Sequence, residues 1–403
     1  MRVKRERALK LFKYVPGGTR KRLLSQVNYF RISKLRRNPM PKWITLFITN
    51  YCNARCHHCF YWHELNSKAR ELTLEELENT LKPFMKNQLR TIHLSGGEPF
   101  LRKDLADFYH MVDRHRITSK LSIPTNGMLE VLPSIEKMIT SSRNKTTLNV
   151  SVSLDGLEDT HNYFRGIRNG FEKAIDSLRR MVELSKKYSF FHVSACTTVT
   201  QYNMNELPEL VRFVREELGI RNYGFDHVRN SETDLYDIDP SIVANFHPPT
   251  TEKTDTSKAL QFLNTENMPE NPAMLDIDQI QKANEMLQEL IGTETFSDKL
   301  LFTRLELERQ IKKEKRRVIP CLAGRVDCTI YPNGDVSVCE FTKPFANLKD
   351  FDFDFMGLWK GAQAEEMRVK TERCGCTHPC NLSDSMAFDT NSLLQLIENP
   401  ACG

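Results

Sequence analysis

Two rhythms of apolar residues alternate along the first half of the chain. Short β-like runs rich in Ile, Leu, Val and Phe fall near 43–49, 90–95, 119–124, 147–154, 191–199 and 221–227. Between them, apolar positions recur at helical spacing near 74–87, 103–115, 131–140, 169–188 and 205–218. Six β/α units in this order predict an α/β fold with a parallel sheet and right-handed crossovers. The rhythm stops at 229–275, a polar stretch with HPPTTEKTDTSK in its middle, which is expected to be an insertion or lid. A charged helix is expected over 298–317, leading out of the sheet.

Composition narrows the class. The 403 residues are 40% hydrophobic and 27% charged, enough for one large globular domain and a smaller one. No run of 18 apolar residues predicts a membrane-spanning helix, and the N-terminus lacks the apolar core of a secretory signal. Eleven cysteines in clustered motifs, without secretion, argue for metal ligation in a reducing cytoplasm rather than for disulfides.

Charge is unevenly spread. Residues 1–41 hold 13 Lys/Arg and one acid, Glu6, a net of +12, whereas the remainder carries −7. Apolar residues punctuate this arm: Leu9, Leu11, Phe12 and Tyr14, then Leu23, Leu24, Val27, Tyr29, Phe30, Ile32 and Leu35. Pro16, Gly17 and Gly18 divide two expected helices. One reading is peripheral contact with the anionic inner face of a membrane. The other is a pair of helices braced across the base of the fold, with solvated charges. Nucleic-acid binding has only the charge in its favour and is not expected.

The candidate chemistry lies in the cysteines. Cys52, Cys56 and Cys59 in ITNYCNARCHHCF have the spacing C-x3-C-x2-C, directly after the first β-like run. Iron–sulfur clusters are normally held by four thiolates, so three in one loop suggest an iron left open for a ligand. Structural zinc sites show paired knuckles instead. Gly96, Gly97 and Glu98 end the second run. Thr125, Asn126 and Gly127 end the third. Ser153, Asp155 and Gly156 end the fourth, followed by DGLEDTHNYFRGIRNGFEKA.

This ordered set resembles the signature of the radical S-adenosylmethionine (radical SAM) superfamily. The resemblance implies a partial (β/α)6 barrel. A [4Fe–4S] cluster would sit on Cys52, Cys56 and Cys59, with S-adenosylmethionine held near Gly96, Gly97, Glu98, Thr125, Asn126, Ser153 and Asp155. Glycines let backbone approach a ligand closely, and Glu98 can offset an ammonium charge. His58 stands where the family usually has an aromatic residue. His57 and His58 are set aside as metal ligands, because adjacent side chains in an extended loop diverge. Cys196, in VSACTTV, is read as a small buried hydrophobe or a hydrogen-atom donor.

Residues 319–403 form a second cysteine-rich unit, with Cys321, Cys328, Cys339, Cys374, Cys376, Cys380 and Cys402. Pro332, Asn333 and Gly334 mark a hairpin turn. The unit resembles the SPASM/twitch auxiliary-cluster domain, but its C-x-C-x3-C run departs from the full pattern. One auxiliary [4Fe–4S] cluster is therefore expected, on Cys321 and Cys339 with two more ligands from Cys374, Cys376 and Cys380. Cys328 and Cys402 are left to a second cluster or to no ligand role, and a zinc ribbon is the alternative. The expected organisation is an arm (1–41), the barrel (42–228), an insertion with linking helices (229–318) and the auxiliary unit (319–403).

The resemblance further implies reductive cleavage of S-adenosylmethionine by an electron from a flavodoxin or ferredoxin. The resulting 5′-deoxyadenosyl radical would take hydrogen from a carbon of a small molecule or of a peptide or protein side chain. Only 51 residues precede Cys52, too few for the leader-binding unit of many peptide-modifying relatives, so peptide maturation would call on a separate leader-binding partner. A non-catalytic iron–sulfur or RNA-binding scaffold is the contrasting class.

Overall fold

The computed structural model describes residues 16–86, 88–228, 235–244 and 275–398. Its centre is a run of six parallel strands: β1 (Trp43–Thr49), β2 (Thr91–Gly96), β3 (Lys120–Thr125), β4 (Thr147–Ser153), β5 (Phe191–Val199) and β6 (Tyr223–His227). They pair in sequence order, at almost the positions that the apolar runs predict. The intervening helices are α2 (Leu74–Leu81), α3 (Leu105–His115), α4 (Leu132–Thr140), α5 (Glu158–Arg165), α6 (Gly170–Ser185) and α7 (Leu207–Arg212). The sequence pattern missed α5 as a separate helix. Gly166, with φ +63°, ends it in the left-handed conformation that a glycine adopts freely.

Alternation along each strand sorts the side chains. Ile92, Leu94, Leu121, Ile123, Leu148, Val150 and Val152 are fully buried in the core shared with the helices. Their neighbours point to the concave side and are mostly polar. Thr45, His93, Ser122, Asn149 and His192 form one row across five strands. Asn149 donates from Nδ2 to Ser194 Oγ at 3.1 Å. Nearer the carboxyl ends, Ser153, Cys196 and Gly224 are neighbours, as are Thr198 and Asp226.

After β6 comes a short strand, β7 (Leu235–Tyr236), and then helices α8 (Ile277–Ile291) and α9 (Phe296–Glu314). The charged helix expected over 298–317 is α9. Capping boxes start both helices, at Asp276 with Gln279 and at Thr295 with Asp298. Arg304 of α9 forms a buried ion pair with Glu308 and, at 3.0 Å, a second pair with the partly exposed Asp226 at the end of β6. Most of the expected insertion, 229–234 and 245–274, lies outside the described residues, as do the first expected helix of the arm and Cys402.

The expected hairpin is present as β8 (Asp327–Ile330) and β9 (Asp335–Ser337), followed by β10 (Ala346–Asn347), helices α10 (Phe355–Trp359) and α11 (Ala362–Thr371), β11 (Gly375–Cys376), and helices α12 (Pro379–Met386) and α13 (Thr390–Glu398). β8 lies parallel to β1, from Trp43 opposite Asp327 to Leu46 opposite Ile330. The nine-stranded sheet thus runs across the expected boundary at residue 319, in the order β10-β9-β8-β1-β2-β3-β4-β5-β6. Cys328, on β8, is 2% exposed inside the main apolar core. Helix α1 (Gly17–Arg37) packs against α13 through Leu24, Leu393 and Leu396.

Candidate active site

The loop after β1 carries Cys52, Cys56 and Cys59, and neighbouring backbone holds it from two sides. From one side, Gly97 N–H donates to Thr49 O at 2.8 Å and Glu98 N–H to Tyr51 O at 2.7 Å. A Cβ on Gly97 would lie 2.0 Å from Tyr51 O, and one on Gly96 2.1 Å from Thr49 O. The glycines therefore serve a close approach of two protein loops, a reason that sequence reasoning did not find. From the other side comes the end of α5. Arg55 N–H donates to Arg165 O and His57 N–H to Phe164 O, at 3.2 and 2.9 Å. Gly166 fits under Arg55 O, where a Cβ would sit at 2.6 Å.

The expected cofactor-binding residues converge at the carboxyl ends of β2 to β4, but most are already engaged with the protein. Glu98, 2% exposed, accepts from Asn126 N at 2.8 Å and Phe100 N at 3.2 Å. Burial pushes its pKa up to about 7, against the pull of these bonds. Asn126 reaches Asn53 Oδ1 of the cysteine loop at 2.8 Å, and Thr125 Oγ1 accepts from Gly127 N. These side chains lock three loops together. Ser153 faces the concave side, beside Cys196.

Asp155 lies at the hub of a buried charge cluster. Its Oδ2 is 2.5 Å from Arg165 Nη2 and 3.4 Å from His58 Nε2, and its Oδ1 accepts from Thr198 N at 2.8 Å. Burial alone would raise its pKa, but Arg165, His58 and the other donors hold the carboxyl below its usual range. His161 accepts from Asp155 N–H at Nδ1, and burial beside Arg165 lowers its pKa to about 3, so the ring is neutral. Arg165 also reaches Cys56 Sγ, at 3.7 Å. This arginine lies within the segment DGLEDTHNYFRGIRNGFEKA, whose sequence alone gives it no role. The two loop histidines do diverge: His57 stacks on Tyr163 at 4.6 Å, while His58 turns to Asp155.

The donor set suits an iron–sulfur group. Ala54 N–H points at Cys52 Sγ, at 3.4 Å. Burial raises the Cys52 pKa to about 11 and pushes the Cys56 and Cys59 thiols up as well. A coordinated metal deprotonates such thiols outright. Among the described residues, no three His, Cys, Asp or Glu side chains gather as a single-ion site.

The second group of thiols is Cys321, Cys339, Cys374 and Cys376, close enough that each is perturbed by others of the set. β11, which carries Cys376, is fixed by antiparallel pairing with β7, Cys376 opposite Leu235. Phe341 N–H points at Cys339 Sγ, at 3.4 Å. Cys380 lies in the first turn of α12. Phe60, the residue after Cys59, packs against the cluster of Phe341, Cys374 and Cys376, so it lies between the two cysteine sites. Cys196, on the concave face, points its Sγ at Asp226 Oδ2, 3.9 Å away.

The comparisons with known proteins agree with this geometry. Residues 46–214 match the family model described as the radical SAM superfamily. These residues form a radical SAM domain. Pre-heme d1 synthase of Dinoroseobacter shibae is 28% identical over 190 residues, which cover 47% of this chain and 44% of that protein. The chain thus spans less than half of this relative. Two solved structures extend the likeness beyond the radical SAM barrel. Streptococcus suis SuiB bound to precursor peptide SuiA has a TM-score of 0.50 at 16% identity, covering 83% of this chain and 70% of SuiB. Native anSMEcpe with bound AdoMet and a Cp18Cys peptide has a TM-score of 0.54 at 17% identity, covering 89% of this chain and 99% of that one. At these identities the likeness concerns the fold.

Proposed function

We propose that this radical SAM protein reductively cleaves S-adenosylmethionine and oxidatively modifies a peptide or protein side chain. The observation that carries the cleavage is the cysteine loop clamped between Gly97 and Gly166, at the carboxyl end of a parallel strand. The peptide substrate is supported by the fold shared with SuiB and anSMEcpe, both solved with peptides.

Cys52, Cys56 and Cys59 would hold the cluster that binds S-adenosylmethionine, which together would supply one-electron scission of the sulfonium C–S bond and a radical able to take hydrogen from the substrate. Arg165 sets a fixed positive charge beside Cys56, which favours an added electron at the cluster. Asp155 and His58 hold that arginine and the loop in place. The loop of Gly96, Gly97 and Glu98 would border the methionine end of the ligand, and Ser153 offers a hydroxyl on the same rim. The polar concave face, ending in Cys196, Thr198 and Asp226, would receive the substrate.

Cys321, Cys339, Cys374 and Cys376 would hold an auxiliary [4Fe–4S] cluster that accepts the electron left by an oxidative step. A cleft of about 880 Å³ lined by Arg36, Arg316, Arg317, Arg325 and Arg373, against the two acids Asp237 and Glu372, opens beside Cys321. Its charge suits an acidic flavodoxin or ferredoxin, and the cytoplasm would supply such donors.

Electron paramagnetic resonance of the dithionite-reduced protein tests the core of this reading. Adding S-adenosylmethionine should change the signal of one cluster and leave the other as it was. A spectrum indifferent to S-adenosylmethionine would refute it.

A further inference from the structure

Helix α1 is held to the body along one face. Leu24 packs with Leu393 and Leu396. The Asn28 amide reaches Thr390 Oγ1 at 3.3 Å, and Arg31 donates to the Ala387 carbonyl at 2.8 Å. The Arg31 guanidinium also lies 4.1 Å from the centre of the Phe388 ring. These contacts fix both the position of the helix and its rotation about its own axis.

The remaining surface of α1 is unusual for a globular protein. Leu23, Val27 and Phe30 follow one another at i, i+4 and i+7 and are 40%, 48% and 69% exposed, and Tyr29 beside them is 69% exposed. Seven large apolar side chains stand exposed among the described residues, and these are four of them. Scattered single residues of this kind need no explanation, but a line of them on one element marks a contact surface.

The charge around the line narrows the partner. Gly17–Arg37 contains seven Lys/Arg and no Asp or Glu. Lys34 and Arg37, four and seven residues beyond Phe30, continue the apolar line, with Lys21 and Arg22 near its start. All four are exposed, and none pairs with a carboxylate among the described residues. The sequence ahead of the helix adds six more cations against Glu6 alone. A second copy docking on this face would bring like charges together. An RNA backbone would satisfy the cations but leave the aliphatic Leu23 and Val27 without a partner. An anionic bilayer satisfies both, with apolar side chains at the acyl boundary and cations among the headgroups.

We propose that α1 is a membrane-surface helix, lying flat on anionic lipid with Leu23, Val27, Tyr29 and Phe30 inserted. The proposal stands independently of the radical SAM chemistry. Its test is co-sedimentation of the full chain with vesicles of phosphatidylcholine alone or mixed with phosphatidylglycerol. Wild type should bind the mixed vesicles and not the neutral ones, and the binding should fall in 1 M salt, where screening shortens to about 3 Å. The triple variant Leu23→Ser, Val27→Ser, Phe30→Ser should partition at least about tenfold more weakly. The quadruple variant Lys21→Glu, Arg22→Glu, Lys34→Glu, Arg37→Glu should lose binding. The substituted side chains are exposed, so thermal unfolding should not change; if the triple variant unfolds, the quadruple variant carries the test. Equal sedimentation of wild type and folded variants would overturn the proposal. So would absence of binding to mixed vesicles, whether accompanied by retention of a labelled RNA or by a dimer in light scattering that the triple variant breaks.

Discussion

Gly97→Ala is the sharpest probe of how the cysteine loop is held. The new Cβ would lie 2.0 Å from Tyr51 O and 2.5 Å from Tyr51 C. Both atoms belong to backbone, so no side chain can swing aside. The two loops would have to separate by about 1 Å or more to reach an ordinary contact. That movement breaks the bonds from Gly97 N to Thr49 O and from Glu98 N to Tyr51 O, now 2.8 and 2.7 Å. Leaving two buried backbone pairs unmade costs about 2–6 kcal/mol. Denaturant unfolding of the cluster-free chain should register this loss, and anaerobic reconstitution should load fewer irons at the Cys52 site. Unchanged stability with full iron loading would refute the reasoning. If that same variant failed to bind S-adenosylmethionine, the glycine would be serving the ligand rather than the loop.

Further outcomes follow from the same geometry. Ala at Cys321, Cys339, Cys374 or Cys376 should each remove one cluster's iron from the reconstituted protein, as an iron assay reads. Asp155→Ala should destabilise the fold by about 3–5 kcal/mol, because it strands the buried Arg165 charge; a denaturant titration measures this. Asp113 accepts from Thr146 N, Arg143 N and Asn144 N. Burial alone would raise its carboxyl, but these bonds hold it below the usual value of 3.8. Its stabilisation is thus present above pH 3.8 and lost as pH falls through the lower folded value. The stability gap between wild type and Asp113→Asn should be constant near neutrality and close in acid.

The six strands and most of their helices were legible in the sequence, because each has its own apolar period and the core reads that period directly. Strand β1 differs from the expected run by no residue, and β2 and β3 by one at each end. The pairing of β8 with β1 was not legible, since nearly 300 residues separate Ile44 from Cys328 and no local pattern encodes that register. For the same reason the sequence left Cys328 open between a second cluster and no ligand role, whereas its position beside Ile44 makes it a core residue. Nor was the antiparallel contact of Cys376 with Leu235 legible, since it joins segments about 140 residues apart. Arg165 was visible within a quoted motif. Its role needed the distance to Asp155, which only the fold supplies.

The account rests on the loop of Cys52, Cys56 and Cys59 binding S-adenosylmethionine for reductive cleavage. The most direct measurement is release of 5′-deoxyadenosine from anaerobically reconstituted protein given dithionite and S-adenosylmethionine. The wild type should release it and the triple Cys→Ala variant should not, while that variant keeps its auxiliary iron. A wild type that carries its full iron and releases none, or one that takes up stoichiometric zinc in place of iron, would contradict the account.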